Sequence, residues 1–248
     1  MTRRTALVTG ASQGIGAEIA VALAGDGFDV AVSSTRIEKL SDVAARVEAA
    51  GGRAVPVQLD VCSQQSIDQA MAGAIAGLGH VDLLVNNAGL ALKKLALDIT
   101  PEEWGAVMDT DLSGAFFMTQ RMGRHLIATK RPGLIISIAS THGMVALEER
   151  LAYGIAKAGV MHMTRMLAYE WAAHGIRLNA IAPGRVNTPS REVSLVDPAF
   201  KERMLARVPL KRFAESGEVA AAVCYLASPA AEYITGQTLV MDGGLTAY

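Results

Sequence analysis

Residues 6–16 read Ala6-Leu7-Val8-Thr9-Gly10-Ala11-Ser12-Gln13-Gly14-Ile15-Gly16. A short aliphatic run of strand character meets glycine and passes into an Ala-rich stretch of helical period, Gly14-Ala24. Glycines at 10, 14 and 16 allow a tight turn, close approach of backbone to a pyrophosphate, and close packing of helix on strand. The free N–H groups of the helix N-terminus favour phosphate in the same place. The spacing is G-x3-G-x-G rather than G-x-G-x-x-G, so a glycine turn that only packs is the competing reading. Its position between the first strand and the first helix favours a dinucleotide site built from Gly10, Ser12, Gln13, Gly14, Ile15 and Gly16.

The same alternation continues along the chain. Strands are expected at Ala6-Thr9, Val30-Ser33, Ala54-Leu59, Leu83-Asn86, Leu134-Ala139, Arg177-Ile181 and Thr238-Met241. Helices are expected near Gly14-Ala24, Ile37-Ala50, Ser63-Leu78, Pro101-Thr129, Ala152-His174 and Ser216-Leu226. Alternating strands and helices predict an α/β fold: one Rossmann-type doubly wound domain over residues 1–248, with a seven-stranded parallel sheet and helices on both faces. No repeat, low-complexity tract or composition break marks a second domain. Connections are short except from Pro183 to about Arg212, and a long connection in a compact domain tends to be a binding loop. Residues 184–212 are therefore the expected substrate loop.

Composition narrows the function. The chain has 248 residues, 51% hydrophobic and 19% charged, which is too apolar for a disordered chain. With 23 Lys+Arg against 24 Asp+Glu, no global field draws it to nucleic acid or an anionic membrane. Cys62 and Cys224 are far apart, have no metal-ligand spacing and cannot build a disulfide framework, so no metal site and a reducing, cytoplasmic setting are expected. Arg3-Arg4 is followed by no long apolar stretch, so the N-terminus reads as a mature start. The apolar run Val219 to Ala227 is far short of the roughly 20 residues of a spanning helix.

At the end of the second strand, where NAD-binding folds usually hold a carboxylate against the ribose, the chain reads Ser33-Ser34-Thr35-Arg36. Hydroxyls and a guanidinium suit a 2′-phosphate, which favours NADP over NAD, with Ser34, Thr35 and Arg36 as its contacts. A solvated Arg36 is the alternative. Asp60 and Val61 follow the third strand, where Asp60 either hydrogen-bonds adenine or forms an Asx-turn. Further on, Tyr153 and Lys157 share one helical face at i and i+4. An ammonium there stabilises a phenolate and makes the tyrosine a usable general acid or base. Ser140 ends a strand, thirteen residues earlier, placed to donate to a substrate oxygen.

These residues together resemble the short-chain dehydrogenase/reductase family over essentially the whole chain. The resemblance rests on Thr9-Gly10-x3-Gly14-Ile15-Gly16, Asn86-Asn87-Ala88-Gly89, Ser140, Tyr153-x3-Lys157, and Pro183-Gly184 with Thr188. It implies that Tyr153 exchanges a proton with the carbonyl or alcohol oxygen, Ser140 orients that oxygen, and Lys157 holds the nicotinamide ribose and assists Tyr153. It also implies that Asn86, Ala88 and Gly89 run along the cofactor and that Pro183, Gly184, Val186 and Thr188 lie at its nicotinamide end. The C-terminal stretch Ile234 to Gly244 is similar to the 3-oxoacyl-carrier-protein-reductase-like branch, which implies a homotetramer with the catalytic helix and its neighbour in one interface. One position departs from the family: where it carries a fourth catalytic residue, an asparagine, this chain has Asp111, and an ionised aspartate only accepts hydrogen bonds.

His142 follows Ser140 by two and reads as a locally bonded residue or a substrate contact. Glu148-Glu149-Arg150 reads as helix-start acidity or a lid cluster. Met161, Met163, Met166, Trp104 and Trp171 read as packing residues. Three functions remain open: an NADP-dependent carbonyl reductase, with a carrier-protein- or CoA-linked 3-oxoacyl thioester among its candidate substrates; an NAD(P)-dependent dehydrogenase of a polyol, sugar acid or cyclic alcohol; and a dinucleotide-binding sensor without turnover, for which Asp111 is the only support.

Overall fold

The structure is a computed structural model that describes residues 3–188 and 198–247. Its strands are β1 Arg4–Val8, β2 Phe28–Ser34, β3 Ala54–Gln58, β4 Leu83–Asn86, β5 Gly133–Ile138, β6 Ile176–Pro183, β7 Val186–Asn187, β8 Ala214–Glu215 and β9 Thr238–Met241. Its helices are α1 Gly14–Gly25, α2 Ser41–Ala49, α3 Gln64–Leu78, α4 Pro101–Met108, α5 Gly114–Thr129, α6 Leu151–Trp171, α7 Pro198–Ala206 and α8 Ser216–Ala227. Seven strands pair in the order β3-β2-β1-β4-β5-β6-β9, every pair parallel. The chain winds outward from β1 to β3, returns to β4 beside β1, and winds the other way. That reversal opens a crevice above the carboxyl ends of β1 and β4, the usual ligand position in such sheets.

Both faces of the sheet are covered, so its strands are apolar on both sides. Ala6, Val8, Val30 and Val32 point to one face and pack with Ile19 and Leu23 of α1, Val43 and Val47 of α2, and Val219 and Val223 of α8. Leu7, Ala31 and Leu84 point to the other and pack with Met71 of α3, Met118 and Met122 of α5, and Trp171 of α6. This is the period of two of a strand, used twice.

Local chemistry sets the helix starts. Ser63 caps α3 by accepting from the Ser66 N–H. Thr100 and Glu103 form a reciprocal capping box at α4, with Pro101 in the first turn. Three segments differ from the sequence-based expectation. The helix expected over Ile37-Ala50 starts as a 3-10 turn, Ile37–Leu40, before α2. The long helix expected over Pro101-Thr129 is divided by a π-helical turn at Asp109–Ser113. The long connection after Pro183 contains β7 and α7, and β7 pairs with β8 in a separate two-stranded ribbon. The middle of the expected substrate loop, 189–197, lies outside the described residues.

Candidate active site

A cavity of about 930 Å³ occupies the crevice. At its floor the β1 and β4 turns are tied together. Thr9 Oγ1 accepts from the N–H groups of Asn87 (2.9 Å) and Ala88 (3.0 Å), and Asn87 Nδ2 donates to the carbonyls of Thr9 and Gly10, both at 3.0 Å. Gly10 has φ +62°, and a Cβ there would stand 2.9 Å from Ala88 Cα. Glycine is thus required twice over, by conformation and by space.

Ser12, Gln13, Gly14, Ile15 and Gly16 line the cavity with Gly10. Ser34 and Thr35 line it at the end of β2. Arg36 is beside them but exposed and outside the lining, its backbone N–H donating to Ser34 Oγ at 3.3 Å. Asp60 and Val61 line the wall, and Asp60 Oδ1 accepts from the Cys62 N–H at 2.9 Å, an Asx-turn. Ala88 and Gly89 also face the cavity, whereas Asn86 does not. Asn86 is buried and donates to Thr119 Oγ1 at 2.8 Å, which ties β4 to α5. Its neighbour Asn87 faces the cavity instead, one of several lining residues, with Cys62, Thr110 and Ala139, that sequence reasoning missed. Two adjacent asparagines at a strand end point to opposite sides, and the strand's exact end decides which faces the crevice.

Ser140, Tyr153 and Lys157 line the cavity as well, as do Pro183, Gly184, Val186 and Thr188, the last next to Gly14, where a Cβ would be 3.8 Å from Thr188 Cγ2. Ser140 follows β5, is buried, and its Oγ accepts from the His142 N–H at 3.2 Å, leaving its hydroxyl hydrogen for another acceptor. The turn 141–143 is pressed onto α6. A Cβ on Gly143 would be 2.7 Å from the Ala158 nitrogen, and one on Gly154 would be 2.7 Å from the His142 oxygen. These two glycines, unnoticed in the sequence, set the serine against the helix that carries Tyr153. The His142 and Tyr153 rings meet edge to face, with centroids 6.1 Å apart.

Lys157 Nζ is 5.5 Å from the centroid of the Tyr153 ring, donates to the Ile138 carbonyl at 3.1 Å, and pairs with Asp111 Oδ1 at 2.9 Å. Asp111 Oδ2 accepts from the Leu90 N–H at 2.8 Å. Asp111 therefore joins the π turn, the loop after β4 and the lysine of α6. At the mouth, Glu149 holds φ +62°, pairs with Lys93 at 3.1 Å and accepts from the Lys94 N–H at 3.0 Å, while Arg150 donates to the Leu92 carbonyl at 3.2 Å. Glu148-Glu149-Arg150 thus closes one side of the rim rather than merely starting a helix.

The cradle fits a dinucleotide. Gly10, Gly14 and Gly16 line an open crevice beside the α1 N-terminus, whose free N–H groups favour a phosphate. Among the described residues no group of three or more His, Cys, Asp or Glu could hold a metal ion.

Known proteins match over the same span. The family described as enoyl-(acyl carrier protein) reductase matches residues 10–246. A 3-oxoacyl-[acyl-carrier-protein] reductase of Synechocystis is 38% identical, over 100% of this chain and 99% of its own length. A 3beta-hydroxysteroid dehydrogenase 1 of Eggerthella lenta is 37% identical, over 99% and 94%. Among solved structures, actinorhodin polyketide ketoreductase with NADPH superposes with a TM-score of 0.93 at 35% identity, over 99% of this chain and 98% of that one. Family members bind NAD(P) and carry out oxidation and reduction. A crevice shaped for a dinucleotide, with a serine, a tyrosine and a lysine lining it, and full-length similarity to such enzymes lead to the same conclusion: this chain belongs to the short-chain dehydrogenase/reductase family of oxidoreductases.

Proposed function

We propose that the protein is an NADP(H)-dependent reductase of a carbonyl compound, with a 3-oxoacyl thioester as the substrate class to test first. The observation that carries this reading is that Ser140, Tyr153 and Lys157 line the same cavity as the glycine turn. When bound, the cofactor supplies the hydride. Ser140 donates its free hydroxyl hydrogen to the carbonyl oxygen and orients it. Tyr153 gives its phenolic proton to the same oxygen. Lys157 has three N–H donors, of which Ile138 takes one, and with Asp111 beside it as an ion pair it keeps donors for the ribose or the developing phenolate.

Ser34, Thr35 and the adjacent Arg36 support NADP, because no carboxylate ends β2 to repel a 2′-phosphate. Gly184, Arg185, Thr188 and Met204 line the cavity, which supports a substrate segment over about 184–212. The thioester reading is supported by the Synechocystis relative, a 3-oxoacyl-[acyl-carrier-protein] reductase. No nucleic acid or membrane partner is proposed, and among the described residues no helix is long and apolar enough to cross a membrane. Free Cys62 and Cys224 support a cytoplasmic location. Exposed apolar side chains on α5 and α6 support a homotetramer that covers them: Phe117 is 40% exposed, Met166 59% and Tyr169 92%.

The test is NADPH consumption with simple ketones, 3-oxoacyl thioesters and sugar acids, and NADP reduction with the matching alcohols. Turnover of 3-oxoacyl thioesters supports the reading, and turnover confined to cyclic alcohols or sugar acids replaces it with a dehydrogenase. No turnover in either direction makes the protein a dinucleotide sensor.

A further inference from the structure

Asp111 and Lys157 are the two charged residues among those described that are buried, with side chains 0% and 6% exposed. A buried carboxylate is tolerated only when a charge partner or hydrogen bonds compensate it; Asp111 Oδ2 accepts a hydrogen bond, and Oδ1 stands against the ammonium as an ion pair without a hydrogen bond of its own. Oδ1 meets the ammonium at 2.9 Å, and Oδ2 meets the Leu90 N–H at 2.8 Å. Oδ1 lies close against Gly89, where an added Cβ would stand 2.6 Å from it. Lys157 therefore faces Tyr153 as half of an ion pair and not as an isolated cation.

We propose that Asp111 is a positioning residue whose carboxylate is the counter-ion of Lys157 and offsets the ammonium's pull on the Tyr153 phenol, so that the site is set for reduction over oxidation. This rests on Tyr153 being the acid of the proposed reaction. In reduction the Tyr153 O–H bond breaks and its proton passes to the carbonyl oxygen, as hydride from the reduced dinucleotide reaches the carbonyl carbon. The carbonyl gains two electrons and the dinucleotide loses them. Oxidation runs these steps backward and needs the phenolate first. An unpaired ammonium beside the phenol favours the phenolate, and a carboxylate 2.9 Å from that ammonium offsets its field. The offset is little screened by salt, because both groups are out of water.

His142 has its ring against the phenol, and other charged groups belong to the cavity and to the elements packed on α6. His142 comes from the turn 141–143 and Arg150 from the start of α6. Lys93 and Glu149 stand paired at the rim, and Arg185 lies between β6 and β7. From α4 come Glu102 and Glu103, and Glu103 is paired with Lys94. All of these remain in place when Asp111 is neutralised.

The test compares the wild type with Asp111→Asn and with Asp111→Ser, a second neutral variant whose smaller side chain leaves room for water and serves if the amide does not fold. Two readouts are taken: kcat/KM against pH in both directions, and ultraviolet titration of tyrosinate in the cofactor-free protein, each measured against its own Tyr153→Phe counterpart. The alkaline rise of oxidation is expected to move to lower pH by about one pH unit, so oxidation below that rise increases about tenfold. The tyrosinate signal assigned to Tyr153 moves the same way, and reduction fails at lower pH than in the wild type. Unchanged profiles and titrations, or a move to higher pH, overturn the proposal. If the wild type turns nothing over, the proposed reaction fails, and the titration alone still decides whether Asp111 acts on Tyr153.

Discussion

The side chains around the dinucleotide crevice divide into those whose role follows from spacing and those whose role needs coordinates. Tyr153 and Lys157 belong to the first group, because a separation of four on a helix allows one outcome, a shared face. Ser140 belongs there too, since the carboxyl end of a parallel strand opens on the crevice. Asp111 was legible as a departure, but its direct contact with Lys157 was not, because nothing in the sequence says that the turn after α4 brings a carboxylate to 2.9 Å from a lysine 46 positions further on. Arg36 stays between the two groups: it has the right chemistry and neighbours, and its own side chain is exposed. If it reads the 2′-phosphate, Arg36→Ala weakens NADPH binding about tenfold or more and leaves NADH nearly unchanged, as judged by fluorescence titration of each cofactor. Equal losses for both would make it a solvated residue.

Among the elements, the parallel strands were the most legible, since β4 and β9 have the expected bounds and the others differ only at their ends. The π turn at Asp109–Ser113 was hidden because one wide turn inside a continuous apolar period leaves the pattern on both sides intact. Its effect is local. It presents Asp111 to the loop after β4, and Gly114 then packs where a Cβ would be 2.8 Å from Val61, beside the cavity. The turn 141–143 was hidden for a different reason, since a glycine that permits contact between two elements has no periodicity to reveal it. Gly143→Ala would push that turn off α6 through a Cβ 2.7 Å from the Ala158 backbone nitrogen and displace Ser140 from Tyr153. Expected is a fall in kcat of about tenfold to 10²-fold, with cofactor affinity little changed, because a small misplacement of reacting groups is costly. Normal kcat would show that the turn accommodates the methyl.

In the molecule as a whole, the order β3-β2-β1-β4-β5-β6-β9 puts the glycine turn of the first half and Ser140, Tyr153 and Lys157 of the second above the same sheet edge. The alternation of strands and helices was enough to expect this, because right-handed crossovers leave few other ways to wind seven parallel strands. The proposed homotetramer is not in that pattern. It rests on apolar side chains of α5 and α6 that the single chain leaves uncovered, with Tyr169 at 92% exposure foremost. Tyr169→Glu combined with Phe117→Glu places charge in that face and should reduce the mass found by light scattering from four chains to two or one. An unchanged mass would move the interface elsewhere.

The whole scheme turns on one proton donor in the crevice. The deciding measurement is the steady-state rate of NADPH consumption on the best carbonyl substrate, for the wild type and for Tyr153→Phe, with NADPH affinity measured in parallel. Removing the hydroxyl keeps the ring against His142 and Lys157 and takes away only the transferable proton. The expected result is a fall in kcat of about 10²- to 10⁴-fold with NADPH affinity little changed. A variant that keeps most of the wild-type rate would contradict the assignment of Tyr153 as the acid.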